Sequence, residues 1–228
     1  MTASSETQRG TGTAALFALA VFLFVLTFSI SLPIYIRPFY YAHIEALDLP
    51  RTSGFSADQI REAYDQVLDY LTIPGRGFGT GDMAWSESGK AHFEDCRVLF
   101  NLNAAVLMSS AVCILVLLGL RRMGRIGPLR LGRRSAAAWG ALAMLTVVTL
   151  VAVLAAMDFN RAFVVFHGIF FPGKDNWVFN GYQDQIIRVL PQQFFMNCAI
   201  FIGTGLLGQC AAILIPEFCR KKDKEASL

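Results

Sequence analysis

Histidine is scarce in this sequence, and two of its three copies lie at or within apolar stretches. His92 lies in AHFEDCR, shortly before a long apolar segment, and His167 lies inside the apolar stretch RAFVVFHGIFF. An imidazole exchanges protons near neutral pH, so one histidine can take a proton from a nucleophile while another protonates a leaving group. The pair therefore indicates general acid–base catalysis as one candidate chemistry.

A metal site and a purely structural role are the two other interpretations of these histidines. Asp95 follows His92 by three residues, so both lie on one helical face, and together with His167 they are a plausible zinc ligand set. That set predicts a metal-dependent membrane hydrolase, although the sequence has no HExxH motif. In the third interpretation the histidines only pack, as in a non-enzymatic membrane interaction protein. For His43, in a loop-like stretch, we expect such an ordinary role.

Four apolar segments are the elements that must position these side chains. The chain is 54% hydrophobic, which is high for a soluble domain, and about 20 apolar residues are enough for one helix to cross a bilayer. The apolar run of the first segment is longer than that of a signal peptide, and no cleavage motif follows it, so we expect this segment to be retained. We predict an all-α fold, a four-helix transmembrane bundle that forms one integral membrane domain over residues 1–228. The predicted spans are residues 13–34, 99–120, 136–157 and 194–215.

The basic residues predict the orientation of the spans. The short loop 121–134 has six arginines and no acidic residue, and the C-terminal tail CRKKDKEASL has four basic residues. The positive-inside rule puts both in the cytoplasm, together with the N-terminus. Segments 35–98 and 158–193 are then extracytoplasmic, and the net charge of +3 is a topology signal rather than a sign of nucleic-acid binding. Both His92 and His167 are therefore expected at the outer leaflet.

The first outer segment contains a predicted amphipathic helix, FSADQIREAYDQVLDYL. Ser56 followed by Gln59 is a capping-box pattern. Its apolar residues recur at helical spacing: Ile60, Ala63, Tyr64, Val67, Leu68 and Leu71. We expect this helix and its flanking loops to form an extracytoplasmic cap between spans one and two, with a substrate-gating lid as the alternative. The third span is expected to continue outward through MDFNRAFVVFHGIFF.

The order of these pieces resembles the lipoprotein intramolecular transacylase (Lit) family of bacterial membrane proteins. The resemblance rests on the amphipathic helix, on AHFEDCR with its histidine followed by Asp three residues on, and on FNRAFVVFHGIFF, NWVFN and DQIIRVLPQQFF. The sequence differs from the family pattern at Asn160, where many members have Asp. It also has Phe179, Asn180 and Gly181 where the family often has Leu-Asp-Pro. These differences concern groups around the two histidines.

The resemblance implies a transacylase of the bacterial cytoplasmic membrane. Its substrates would be diacylated bacterial lipoproteins, and membrane lipid would surround it. The acyl chain at the sn-2 position of the diacylglyceryl-cysteine would move to the α-amino group of the same cysteine, giving a lyso-form lipoprotein. We expect no cofactor, no metal, no nucleic acid and no obligate protein partner.

The resemblance also implies roles for particular residues. We expect His167 to be the base and His92 the acid, with reversed roles or an acyl-histidine intermediate as alternatives, and we expect Asp95 to orient His92 or to raise its pKa. Candidates for stabilising the oxyanion or otherwise supporting the reaction are Asn160, Arg97, Arg161 and Asn176. Candidates for contact with the substrate are Trp177, Asn176 and Phe163.

Overall fold

The computed structural model describes the backbone of residues 3–226 and the side chains of residues 10–219. Within that range the chain is mostly helical: α1 (Ala3–Tyr35), α2 (Arg37–Ala46), α3 (Leu49–Ser53), α4 (Ala57–Thr72), α5 (Glu87–Arg122), α6 (Ala136–Met157), α7 (Phe159–Phe170) and α8 (Gln192–Ala226). A 3-10 turn spans Gln185–Arg188, and Arg130–Leu131 pairs antiparallel with Arg134–Ser135. The predicted all-α class is confirmed.

Four helices are long and apolar enough to cross a membrane in the described part of the chain. Their apolar stretches are Gly10–Tyr35, Glu87–Arg122, Ala136–Met157 and Gln192–Cys219. Each contains one predicted span, and the third agrees with its prediction at both ends. At 1.5 Å per residue, α5 with its 36 residues is about 54 Å long, well beyond a hydrocarbon core of about 30 Å. The predicted span 99–120 therefore covers the apolar part of α5 but not its polar first turns.

The chain divides into two compact units, and the predicted single domain over residues 1–228 stays a prediction. We call them the span unit and the histidine unit. The span unit comprises the described residues up to Ile30, Ala104–Val153 and the residues from Ile202 onward. The histidine unit comprises Ser31–Asn103 and Leu154–Phe201, and it contains all three histidines. Each unit has its own buried apolar core.

Small residues in the span unit allow α6 to approach α1 closely. A Cβ atom added to Gly140 would lie 2.5 Å from the carbonyl oxygen of Ala18 and 3.3 Å from the amide nitrogen of Phe22. Close backbone approach through small residues is a common way to pack helices in membranes.

Because backbone atoms cannot move aside as a flexible side chain can, we expect Gly140→Ala to destabilise the protein by about 1–3 kcal/mol. The thermal unfolding midpoint of the purified protein in detergent measures this. Gly203→Ala in α8 is the matched control, since a Cβ there meets nothing within 4 Å. Equal unfolding midpoints for the two variants would contradict the close approach.

The core of the histidine unit is built on α4. All six predicted apolar residues of this helix are buried, together with Tyr70. The capping box is also confirmed, because Ser56 Oγ accepts from the Gln59 amide and Gln59 Oε1 accepts from the Ser56 amide. Tyr64 stacks on Tyr40 at 3.7 Å between ring centroids. The amphipathic segment thus buries its apolar face inside the histidine unit.

Two segments have local structure that differs from the prediction. His43 lies in α2, so the prediction of a loop there is wrong, and a proline at the start of the helix favours this geometry. Nδ1 of His43 donates to the Phe39 carbonyl at 2.6 Å and Nε2 accepts from Asn197 Nδ2 at 2.9 Å. The third span does not continue outward as one helix: α6 ends at Met157, and Asp158 caps a separate helix, α7.

Candidate active site

His167 is positioned by α7. Asp158 starts this helix by accepting a hydrogen bond from the Arg161 amide at 3.0 Å. His167 lies in its last turns, and only 6% of the residue is exposed. Nδ1 of His167 donates to the Phe163 carbonyl oxygen at 2.8 Å. A carbonyl only accepts, so Nδ1 carries the hydrogen and Nε2 of the neutral ring keeps a free lone pair.

His92 is positioned by the second turn of α5, and it is also only 6% exposed. Aromatic side chains surround its ring: Phe171 lies edge-on at 4.9 Å and Phe179 edge-on at 5.5 Å between centroids. Nε2 lies 3.4 Å from the sulfur of Cys96, one helical turn on. Nδ1 is buried and has no hydrogen-bond partner among the described residues.

The fold brings the two predicted catalytic histidines together. Their ring centroids lie 5.8 Å apart, with 30° between the ring planes. Phe171 contacts both rings, at 4.9 Å from His92 and 5.7 Å from His167. This proximity contradicts the interpretation in which the two histidines are unrelated packing residues, because that interpretation predicts that they lie far apart.

Aromatic rings also cover His167. Trp177 stacks on its imidazole at 4.4 Å with an interplanar angle of 29°, and Phe163 lies at 4.3 Å. The indole Nε1 of Trp177 donates to the Lys174 carbonyl at 3.1 Å, which fixes the ring in place. Trp177 and Phe163, two of the three residues predicted for substrate contact, are thus neighbours of a catalytic candidate.

Asp95 bonds Lys174 and Asn176 rather than His92. Its carboxylate forms an ion pair with Lys174 and accepts from Asn176 Nδ2 at 3.1 Å. Because the amide nitrogen of Asn176 is used in this way, its oxygen Oδ1 is the group left to accept. That oxygen is buried and unpartnered among the described residues, as is Nδ1 of His92, and Asn176 is a polar neighbour of His92. Asp95 therefore orients Asn176, whose unpartnered Oδ1 suits the His92 tautomer that carries its hydrogen on Nδ1.

The remaining predicted supporting residues lie away from the paired imidazoles. The Arg97 guanidinium packs over the Tyr70 ring at 4.8 Å. Asn160 and Arg161 have exposed side chains in the first turn of α7. Among the predicted site residues, the structure places Asp95, Asn176, Phe163 and Trp177 near the histidines. Arg97, Asn160 and Arg161 make no described contact with either imidazole.

Several neighbours of the histidines were missed at the level of sequence. Cys96 follows His92 by four residues and Phe171 follows His167 by four, so helical spacing was an available signal for both. Lys174 and Phe179 lie in a connecting segment without a regular period, and no sequence pattern indicated their contacts.

The metal-ligand hypothesis does not fit the geometry. Among the described residues, no group of three His, Cys, Asp or Glu side chains could hold a metal ion. The physical reason is that the Asp95 carboxylate is engaged by Lys174 and Asn176. His92, Asp95 and His167 are therefore not assembled as a ligand set.

Burial lowers the pKa of His167 below its ordinary value of 6.5, and the hydrogen bond to the Phe163 carbonyl acts in the opposite direction. The charged form of a buried imidazole loses solvation, so the neutral form is favoured. His167 is thus a neutral imidazole at neutral pH, with its free lone pair on Nε2.

Comparisons with known proteins agree with this architecture. A sequence profile described as lipoprotein intramolecular transacylase Lit matches residues 15–195. The structure of the membrane-integral lipoprotein intramolecular transacylase Lit from Bacillus cereus is similar, with a TM-score of 0.84 and 21% identity over 96% of this chain and 99% of that chain. A structure of that protein with one histidine substituted has a TM-score of 0.78 and 21% identity, over 99% of this chain and 97% of the other. No curated protein sequence matches the chain. Since the profile covers most of its length, the chain belongs to the lipoprotein intramolecular transacylase family and is a membrane acyltransferase.

Proposed function

We propose that this enzyme moves the sn-2 O-acyl chain of a diacylglyceryl-cysteine lipoprotein to the α-amino group of the same cysteine, by acid–base catalysis with two histidines. The observation that carries the proposal is the pair of buried imidazoles, 5.8 Å apart, with Nε2 of His167 free to accept a proton. The product is an N-acylated lyso-form lipoprotein.

The reaction needs no second substrate, because donor and acceptor are parts of one molecule. Conversion of an ester to an amide is downhill, and holding the amine against the ester carbonyl exploits a high effective molarity. The α-amino group has a pKa of about 8, so an imidazole removes its proton with little loss of driving force.

Each histidine has one proton transfer in this scheme. His167 Nε2 takes a proton from the amine as the nitrogen attacks the ester carbonyl and the C–N bond forms. The bond between the carbonyl carbon and the sn-2 oxygen then breaks, and His92 gives to that oxygen the proton that it receives from the neighbouring His167 imidazolium. The face of Trp177 lies against His167, where it stabilises the imidazolium that forms. Both rings are then neutral again, as at the start.

We also propose an orientation of the protein in the membrane. The short hairpin of Arg130–Leu131 and Arg134–Ser135 lies at the end of the segment with six arginines. The indole nitrogen of Trp139 donates to the Leu131 carbonyl at 3.0 Å. Tryptophan beside a basic loop is typical of a membrane interface on the cytoplasmic side. We place both termini in the cytoplasm of a bacterium and the histidines at the outer leaflet of the cytoplasmic membrane. The tail beyond Cys219, used in this prediction, lies outside the described side chains.

Mass spectrometry of a diacylated lipoprotein incubated with the purified enzyme in vesicles tests the proposal. Intramolecular transfer leaves the mass of the N-terminal lipopeptide unchanged but moves one acyl chain to the amine, so fragment ions and loss of the free amine reveal it. We expect this result with or without EDTA. A lipopeptide that loses the mass of one fatty acid less one water, in a reaction stopped by EDTA, indicates a metal-dependent hydrolase instead. An unchanged lipopeptide with folded enzyme overturns the proposal.

The direction of the His167 pKa shift predicts the acidic limb of the pH–rate profile. As base, His167 must be neutral, so the rate of transfer falls as the pH drops through its pKa. Because burial lowers this pKa, we expect the acidic midpoint of kcat/KM below pH 6.5 and full activity of this group at pH 7 and above. Measurement of the single-turnover rate between pH 4.5 and 8, with detergent and substrate held constant, determines the midpoint. An acidic midpoint well above 6.5 would contradict the assignment.

A further inference from the structure

Asp184 is a buried carboxylate that none of the steps above uses. Only 4% of the residue is exposed, and it lies directly before the 3-10 turn Gln185–Arg188. Its Oδ1 accepts from the Ser86 amide at 2.8 Å, and its two oxygens accept from the Ser86 hydroxyl at 2.9 and 3.0 Å. Ser86 is the residue before α5, so the carboxylate is bonded to the start of the helix that carries His92.

The first turn of α5 has a space that Asp184 fills. A Cβ atom added to Gly89 would overlap the carboxylate of Asp184 and would lie 3.0 Å from Cε1 of Phe179. Glycine is unfavourable inside a helix, so its presence here has a packing reason. The Gly89 amide also donates to the Ser86 hydroxyl at 3.0 Å. A negative charge at this position is favoured by the amide groups and dipole at a helix N-terminus.

Backbone pairing beside Asp184 strengthens the same connection. The Ala84 amide donates to Gln185 Oε1 at 2.8 Å, and the Gln185 amide donates to the Ala84 carbonyl at 2.9 Å. Residues 84–86 are therefore held to residues 184–185 by both side chains and backbone.

The segment 174–185 thus contacts α5 on both sides of His92. At the near side, Asp184 holds Ser86 and fills the space beside Gly89. At the far side, Lys174 and Asn176 hold Asp95, and Phe179 contacts the His92 ring between them at 5.5 Å. A shift of the first turn of α5 would move the imidazole relative to His167.

We propose that Asp184 is a positioning residue for acyl transfer: bonded to Ser86 in the space left by Gly89, it fixes the start of α5 and so the place of the His92 imidazole. The proposal rests on the proposed transacylase function. It assigns to Asp184 no contact with the substrate, so its loss should lower kcat and leave KM nearly unchanged.

Kinetics of Asp184→Ala and Asp184→Asn in vesicles test this role. We expect a drop in kcat of about 10- to 100-fold for Asp184→Ala, since small misplacements of catalytic groups cost rates of this order. Asp184→Asn keeps an acceptor for the Ser86 amide, so we expect a smaller loss. The control is Asp65→Ala in α4, which loses bonds to Arg37 and Tyr41 away from the two catalytic histidines. We expect that variant to lower the unfolding midpoint and to keep kcat. An unchanged kcat for Asp184→Ala overturns the proposal. So does an equal loss of kcat in Asp184→Ala and in the control Asp65→Ala when their unfolding midpoints are equal.

Gly89→Ala supplies a second test that also works without activity. We expect it to lower the thermal unfolding midpoint in the wild-type background and to have a smaller effect in the Asp184→Ala background, because the overlap with the carboxylate is then gone. Additive effects on the unfolding midpoint overturn the contact itself. If wild-type enzyme moves no acyl chain while this coupling is present, the proposed function fails and the Asp184 contact stands.

Discussion

We expect His167→Ala and His92→Ala each to lower the rate of acyl transfer by about 10²- to 10⁴-fold, the range for loss of one general acid or base. His167 supplies the free Nε2, and His92 lies 5.8 Å away on a different helix, so neither imidazole replaces the other. The measurement is the initial rate of appearance of N-acylated lipopeptide by mass spectrometry, at equal amounts of folded enzyme.

Two further variants make this result specific. His43→Gln is the matched control, because the third histidine bonds Phe39 and Asn197 and not the other two histidines, and we expect a rate near that of the wild type. The double variant His92→Ala with His167→Ala should be no slower than the worse single variant, since residues that act as a unit are not additive. A loss of rate shared equally by all three single histidine variants would refute the two-histidine mechanism.

Asn176→Ala has the second largest expected effect among single substitutions. It removes the acceptor beside His92 Nδ1 and leaves Asp95 bonded to Lys174. The buried Nδ1 of His92 then loses a polar neighbour, and we expect the less well held ring to lower kcat by about 10²-fold, the cost of a misplacement near 1 Å. Steady-state kinetics of the purified variant, with its unfolding midpoint, measure this.

Substitutions around Asn176 should follow an order. Asn176→Asp places a second carboxylate beside Asp95 and removes the donated hydrogen bond, so we expect it to be as slow as Asn176→Ala. Asp95→Asn keeps one acceptor oxygen, enough for either Asn176 or Lys174, so its loss should be smaller. The neighbouring Asp175 has an exposed side chain, and Asp175→Ala should keep the wild-type rate. The reverse order, with Asp95→Asn the slowest, would show that Asp95 acts on His92 without Asn176.

Local sequence patterns were sufficient to predict α4 and the four membrane-length helices. Helix α4 was predictable because its cap and its apolar face both lie within one short stretch, and the six apolar residues are buried as expected. The four membrane-length helices were predictable because a spanning helix must satisfy its backbone and face lipid along its whole length, which composition alone records.

Elements without such a pattern were misjudged. The segment around His43 has too few residues to show a clear period, and it is the helix α2. The break at Asp158 was missed because apolar residues continue on both sides of it. Asp158 has an extended backbone, and its carboxylate accepts from the Arg161 amide at the start of α7. Helix boundaries depend on such single bonds, which hydropathy does not record.

The sequence by itself determined the candidate chemistry, acid–base catalysis by two histidines. These lie beside long apolar segments, within motifs that resemble one family of membrane acyltransferases. Tertiary structure decided which polar groups serve those histidines. Lys174, Asn176 and Asp184 lie far along the chain from α5, yet they bond Asp95 and Ser86 on either side of His92. Contacts of this kind depend on where an irregular segment crosses a helix. No periodicity encodes that crossing, since it is the packing of the whole unit that sets it.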